Sequence, residues 1–459
     1  MKLLASFFIS LFSLCAFAGI EVIHSPGNGF IDKMKSMITA KDVKTIDISI
    51  YSFGSSKTNP VLKALLKAKN ANPDIEIRVV MDKGNADRKP QIVEILEALG
   101  ADVRTVNKIN HHKFMIVNGI HCDLMIGSEC TEDPMDVRIL QGSGNFNTKA
   151  DYTQDESFTV ITEEEIVGKQ YSKVFATLWN HSKDLGVEVF KTNIKAEVAL
   201  KITQTDKKRN LYSLFTEDNY KVKPSSTTFR ANGEKVIASF LAEKIRKAKK
   251  SVKIAHTHFK MKDVAQALLE KLKDPNFKVY LYLDNQNFTS MWGIKKQKKK
   301  LDACAGELTC GESGIQWFWP LLFANGINND PINNIEVRFK YYMYKWDHIG
   351  AVQMHSKYVI IDDKTVVSGS YNLSLNSETK SFEDTIVLES SKSVEQKNAV
   401  REFVENFDDK WSRNRSKLST VKRLIKEGAQ SWGKYPLSLD WEETENLRKY
   451  FRTHNPRRW

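Results

Sequence analysis

Two short stretches of the 459-residue chain carry the same reactive pattern, "HHKFMIVN" at 111–118 and "HSKYVIID" at 355–362. Each places a lysine two residues after a histidine in an otherwise apolar run. Each ends five residues past the lysine in an amide or a carboxylate, Asn118 or Asp362. Residues two apart in a strand face the same side, so His111 projects with Lys113 and His355 with Lys357. His112 points the other way, which assigns it to packing or to support from behind. Downstream, "GSGNFNTKADYTQDES" (142–157) and "GSYNLSLNSETKSFED" (369–384) repeat Gly-Ser-x-Asn ahead of a glutamate. Asn145 to Glu156 and Asn372 to Glu383 are both eleven positions.

A single His–Lys pair is equally well a satisfied structural pair. Two such pairs in a repeated chain point to one pocket holding two imidazoles and two ammonium groups. That set suits displacement at phosphorus, in which one imidazole attacks and the other protonates the leaving oxygen and later activates water. Lys113, Lys357 and the amides of Asn145 and Asn372 then hold the non-bridging oxygens, with Ser143 and Ser370 adding hydrogen bonds. Glu156 and Glu383 are spaced to accept from the far nitrogen of each histidine and so fix its tautomer. In this reading Glu156 orients the histidine of its own copy. The scheme requires no metal and no cofactor.

The elements that must position these groups are also written twice. "KTIDISIYSF" (44–53) matches "KSVKIAHTHF" (250–259), each a strand pattern preceded by a helical segment. "VLKALLKAKNANPDIEIRVVMD" (61–82) then matches "VAQALLEKLKDPNFKVYLYLD" (264–284), down to the aspartate that ends the strand. Alternating helices and strands predict an α/β fold of two tandem α/β/α sandwich units, with mostly parallel sheets and one shared site at their pseudo-twofold interface. The expected boundaries are 19–205 for the first unit and 206–415 for the second, with an insert near 288–345 and a C-terminal extension at 416–459. Packing across the back of the second unit is the role expected of that extension.

The paired motifs resemble the duplicated HKD signature of the phospholipase D superfamily, over most of residues 21 to 412. The resemblance implies phosphodiester hydrolysis or transfer through a phosphohistidine. By analogy with the usual use of the N-terminal motif, it makes His111 the nucleophile and His355 the acid; the reverse assignment uses the same residues. Asn118 stands where the family pattern usually has aspartate. With a glutamate orienting the histidine, Asn118 and Asp362 are expected only to support the site.

The remaining sequence bears on setting and substrate. Residues 1–18 have the layout of a secretory signal peptide, with Lys2, an apolar run and a small-x-small cleavage site ending at Ala18. Leu14 makes a lipidated Cys15 the weaker reading. The mature chain is therefore expected to be exported, periplasmic or secreted. Cys122, Cys130, Cys304 and Cys310 then form an even set suited to two local disulfides; the rival zinc site lacks any CxxC pair. Losing Lys2 lowers the formal charge of +13 to +12, still a surface for phosphate-bearing partners. The insert carries "MWGIKKQKKK" (291–300), "IQWFWPLLF" (315–323) and "YYMYKWDHIG" (341–350). Lysines beside Trp292, Trp317, Phe318 and Trp319 suit peripheral contact with a phospholipid membrane surface. The same mixture suits stacking and gripping a nucleic acid, and a buried core for the insert is the plain alternative. No obligate protein partner is evident. The reading favoured is an exported phospholipase D-type hydrolase. The alternatives are a secreted metal-independent nuclease and a lipid- or nucleic-acid-binding protein with a decayed site.

Overall fold

In the computed structural model each copy builds an eight-stranded sheet. The structure describes residues 19–27, 29–54, 58–119, 136–184, 198–200, 202, 211–224, 226–285, 332–341, 353–429 and 435–454. The leader, all four mature cysteines, the lysine run and the aromatic run of the insert lie outside the described residues. Among those described, no helix is long and apolar enough to cross a membrane.

The first copy contributes β1 (Gly19–His24), β2 (Thr45–Ile50), β3 (Glu76–Asp82), β4 (Asp102–Val106), β5 (Ile109–Asn110), β6 (Lys113–Val117), β7 (Arg138–Gly142), β8 (Ser157–Thr162) and β9 (Lys183–Asp184). Between the copies run β10 (Val198–Ala199), β11 (Tyr212–Phe215), β12 (Tyr220–Val222) and β13 (Phe229–Ala231). The second copy adds β14 (Ser251–His256), β15 (Lys278–Asp284), β16 (Ile335–Tyr341), β17 (Lys357–Ile361), β18 (Thr365–Gly369), β19 (Ser381–Phe382) and β20 (Asp384–Glu389). The extension supplies β21 (Leu437–Leu439).

The two sheet orders, β1-β8-β7-β6-β2-β3-β4-β9 and β11-β20-β18-β17-β14-β15-β16-β21, correspond position by position. The parallel arrangement read from helix–strand alternation holds at β2–β3–β4 and β14–β15–β16. The flanking strands run antiparallel, so both sheets are mixed. The reason is connection length. Helices such as Pro60–Ala71 and Lys262–Lys271 carry the chain between parallel neighbours, whereas β17 turns directly into β18.

Local chemistry sets these elements. Asn59 caps the helix at Pro60–Ala71 by accepting from the Val61 N–H at 2.9 Å, and Pro60 fills its first position. On β2, Ile46, Ile48 and Ile50 enter the core beneath the helices, and Asp47 on the other face is forked by Arg78 at 2.7 Å. One apolar cluster spans both copies: Phe114, Tyr171 and Phe175 of the first pack with Tyr282, Tyr358 and Phe403 of the second. The halves therefore share a core, which fixes their relative placement.

The extension, expected to pack across the back of the second unit, joins that unit at its sheet edge. β21 pairs antiparallel with β16 at the sheet edge, the position β9 holds in the first sheet, and Trp441 packs edge-on against Phe339 at 5.7 Å.

Asn118 and Asp362 occupy left-handed backbone at φ 55° and 54°, a region that asparagine and aspartate tolerate better than most residues. Asn118 Oδ1 accepts from the Lys44 N–H at 2.8 Å, while Asp362 accepts from the N–H groups of Lys249, Lys250 and Ser251 at 2.8, 2.7 and 3.0 Å. Both side chains thus pin a turn at the far end of the reactive strand, roughly 16 Å of chain from the lysine. An amide serves there as well as a carboxylate. Replacing Asn118 with Asp is expected to leave steady-state turnover within about twofold of the parent; a large gain in activity would place this position in the chemistry after all.

Candidate active site

His111 and His355 sit just before β6 and β17, and each is held by four contacts that recur in both halves. The strand-ending aspartates supply the first: Asp82 accepts from the Asn110 N–H at 3.3 Å and Asp284 from the Met354 N–H at 3.0 Å. Each histidine N–H then donates across the interface, His111 to Phe382 O at 3.0 Å and His355 to Asp155 O at 2.9 Å. Each lysine folds back on its own motif, with Lys113 Nζ 2.6 Å from His111 O and Lys357 Nζ 2.6 Å from His355 O.

The fourth contact corrects the sequence reading. His111 Nδ1 lies 2.7 Å from Glu383 Oε2, and His355 Nδ1 lies 2.7 Å from Glu156 Oε1. The carboxylates are exchanged: each orients the histidine of the other copy. The spacing within a copy is real but serves the partner half.

Ser143 and Ser370 are also reassigned. Their hydroxyls donate to Glu156 at 2.6 Å and Glu383 at 2.8 Å, and accept from the Ser157 and Asp384 N–H groups at 2.9 and 3.0 Å. Both are fully buried, so they hold the glutamates in place of gripping a phosphate. The glycines before them permit this: a Cβ on Gly142 would stand 2.4 Å from Ser157 O, and on Gly369 2.2 Å from Asp384 O. Asn145 and Asn372 stay available, since the Oδ1 of each is buried without a hydrogen-bond partner. Turning the amide end over would present its N–H group instead.

Burial and charge set the protonation of the pocket. Burial, reinforced by Lys113, Lys357 and His355, holds His111 well below the ordinary imidazole range. Burial also lowers His355, but Glu156 opposes it. Burial brings Lys113 down to about 8 and Lys357 down to about 7. The glutamates differ. Burial pushes Glu383 up to about 8, whereas at Glu156 the opposing pull of His355 and its hydrogen bonds wins and the carboxyl is lowered. An ionised Glu156 keeps His355 nearer the ordinary imidazole range than His111, which burial and the neighbouring cations hold neutral.

His112, assigned only to packing or support, carries a larger role. It is fully buried, with Nδ1 2.8 Å from Asp384 Oδ1 and Nε2 2.6 Å from Glu217 Oε1. Burial opposes its charge, yet Glu217 and Asp384 lift it to about 10, so it is an imidazolium clamped between two carboxylates of the other half. Tyr171 donates to the second Asp384 oxygen at 2.9 Å. At the equivalent place on the other side, Ser356 takes a hydrogen bond from Lys410 at 2.9 Å. There the ionic link between halves is Asp155, which Lys340 and Arg413 engage at 2.6 and 2.8 Å. Sequence reasoning passed over this cluster and the Tyr51 ring, 4.9 Å from that of His111. Nothing in the spacing marks Asp155, but its place immediately before Glu156 was a usable signal.

The arrangement defines a class of protein: two equivalent α/β halves, each lending one imidazole, one ammonium group and one carboxylate to a shared site between them. A family model described as "Cardiolipin synthase, PLD-like domain" matches residues 34–179 and 241–411, more than half of the chain, and the chain belongs to that phospholipase D-like family. It thus carries a phosphodiesterase-like domain of a superfamily whose members are phosphoryl-transfer enzymes. The phosphatidylserine synthase of Haemophilus influenzae Rd KW20 aligns over 95% of this chain and 93% of its own, at 11% identity and a TM-score of 0.52. A polyphosphate kinase from Porphyromonas gingivalis aligns over 85% of this chain at 12% identity and a TM-score of 0.50, and this chain spans 50% of its length. Nuc, a phospholipase D family member from Salmonella typhimurium, is 22% identical over 37% of this chain and 98% of its own, with a TM-score of 0.30. At these identities the likeness to the synthase and the kinase is one of fold. No curated protein matches the chain significantly.

Replacing His112 with Ala leaves two buried carboxylates unopposed and is expected to cost roughly 3–5 kcal/mol of stability at pH 6. The imidazolium has a raised folded-state pKa. Its contribution is therefore complete below about 6.5, the unfolded value, and fades as pH climbs toward 10. Denaturant unfolding of both proteins at pH 6 and pH 9 should show the gap narrowing; an equal gap would mean that His112 is uncharged.

Proposed function

We propose that the protein is a phospholipase D-type enzyme that cleaves phospholipid headgroup diesters through a phosphohistidine. The observation that carries this reading is the pair of imidazoles, each oriented by the opposite half's buried glutamate, beside two buried lysines. With Nδ1 engaged, the Nε2 lone pair of neutral His111 attacks phosphorus as the bond to the headgroup oxygen breaks. His355, as an imidazolium on ionised Glu156, gives its proton to that oxygen. Neutral His355 then takes a proton from water, whose oxygen displaces His111 from phosphorus; phosphatidic acid leaves and His355 is protonated again. Lys113, Lys357 and the Asn145 and Asn372 amides balance charge on the non-bridging oxygens.

A lipid substrate is supported by the description of the matching family model and by the near full-length likeness to a phosphatidylserine synthase. Water as acceptor makes the reaction a hydrolysis; an alcohol entering at the second step gives transfer. Export is supported by the layout of residues 1–18, with its apolar run and small-x-small site ending at Ala18. The basic surface and the lysine- and tryptophan-bearing insert suit peripheral membrane contact.

The purified protein, given mixed phospholipid vesicles and plasmid DNA in EDTA, is expected to release headgroups and leave the plasmid intact. Nicked DNA without headgroup release would make it a nuclease, and neither product a binding protein. Separate His111→Ala and His355→Ala variants should each lose roughly a thousandfold or more in rate while melting like the parent. A variant that kept a tenth of the activity would overturn the two-imidazole scheme.

The lysines grip the diester only when protonated. His355 donates only when protonated and its pKa is lowered, while burial brings Lys357 to about 7 and Lys113 to about 8, so kcat/KM should already be falling at neutral pH and fall further as pH rises through 7 to 8. An alkaline limb near 10, the ordinary lysine range, would contradict this account.

A further inference from the structure

The two walls of the shared pocket differ, although equivalent strands build them. Ile50 at the end of β2 pairs with Lys113, and His256 at the end of β14 pairs with Lys357. Directly opposed residues on neighbouring strands share a face, so His256 projects beside Lys357 on the imidazole side. The chain continues Ile50-Tyr51-Ser52-Phe53-Gly54 in one wall and His256-Thr257-His258-Phe259-Lys260 in the other. Phe53 and Phe259 hold the match in register, bridging to Phe146 and Leu373. Position by position, Ile50, Ser52 and Gly54 in one wall answer to His256, His258 and Lys260 in the other.

His256 is 2% exposed, and its Nδ1 has no hydrogen-bond partner. The Nδ1 of His258 is also buried and unpartnered. Leaving such nitrogens unpaired is costly unless something arrives to use them. Their charged surroundings have one sign. Burial depresses both imidazoles; Lys357 and His355 press both further and Lys260 presses His258, while backbone contacts with Tyr371 and His258 partly oppose the fall at His256. An incoming anionic group relieves both penalties at once. In the opposite wall Ile50 is fully buried and Ser52 is engaged by Lys89 at 2.9 Å, so neither of these described residues offers an unpaired group there.

We propose that the His256–His258 wall is a subsite for an acidic headgroup, binding a carboxylate or phosphate borne by the departing alcohol. The inference rests on the phospholipid reading above and names the substrate class within it. It also gives the diester a direction. The headgroup lies on the His355 side, where its oxygen is protonated, and the Ile50 wall receives the diacylglycerol arm.

Phosphatidylserine and phosphatidylethanolamine headgroups differ by one carboxylate. Vesicles containing both in equal amounts give every substrate the same surface charge. The wild-type protein is expected to release serine at least about tenfold faster than ethanolamine. A His256→Ile/His258→Ser variant, carrying the other wall's residues, should bring the ratio to within about twofold of one. His256→Gln, which keeps a hydrogen-bonding group at lower packing risk, should retain part of the preference. A wild-type ratio near one, or a preference that survives the double substitution, overturns the subsite and leaves the phospholipid reading standing. Nicked plasmid with no headgroup released from either lipid overturns that reading and the subsite with it.

Discussion

The exchange of glutamates between halves is the constraint on which the rest depends. His111 is oriented by Glu383 and His355 by Glu156, each at 2.7 Å, so neither half contains a complete site. Correct chemistry therefore requires the two sheets to dock accurately. The shared apolar cluster, the His112 clamp and the Asp155 ion pairs all act at that same interface. A displacement of an ångström would break hydrogen bonds whose geometry is narrow. This explains why so much buried charge is spent where hydrophobic packing alone would hold the halves together: ionic pairs fix register as well as contact.

Much of this was legible in the chain. The repeat gave two matching sheets, the two-residue spacing placed each His beside its Lys, and the strand-ending aspartates recur because each holds the residue before a reactive histidine. The carboxylate exchange was not legible, because equal spacing in both copies is equally compatible with pairing inside a copy or across them. Ser143 and Ser370 were misread for a related reason: sequence places a hydroxyl near the site but does not say which acceptor lies closer. Only the close approach allowed by Gly142 and Gly369 brings them onto the glutamates. His256 and His258 stood in the aligned strands throughout, yet a search for repeated residues passes over positions where the copies differ.

Under the proposed subsite, those differences give the pocket a direction. A perfectly twofold site would bind a diester either way round. Here an ionised Glu156 faces a raised Glu383, a histidine pair faces Ile50 and Ser52, and an imidazolium clamp faces Ser356. Each break in symmetry is small and local, while the strand order beneath is unchanged. Divergence after duplication has thus acted on the pocket walls and spared the frame.

The first strand of the chain has a late partner. His24 on β1 meets the Phe403 ring edge-on at 5.0 Å, and the helix Val394–Ser412 lies along that strand. β1 cannot bury its outward side until almost the whole polypeptide has been made. Such long-range closure slows folding and leaves Ile20 and Val22 of that strand uncovered in the interval. This wiring ties the packing of the first strand to the arrival of one of the last helices of the chain.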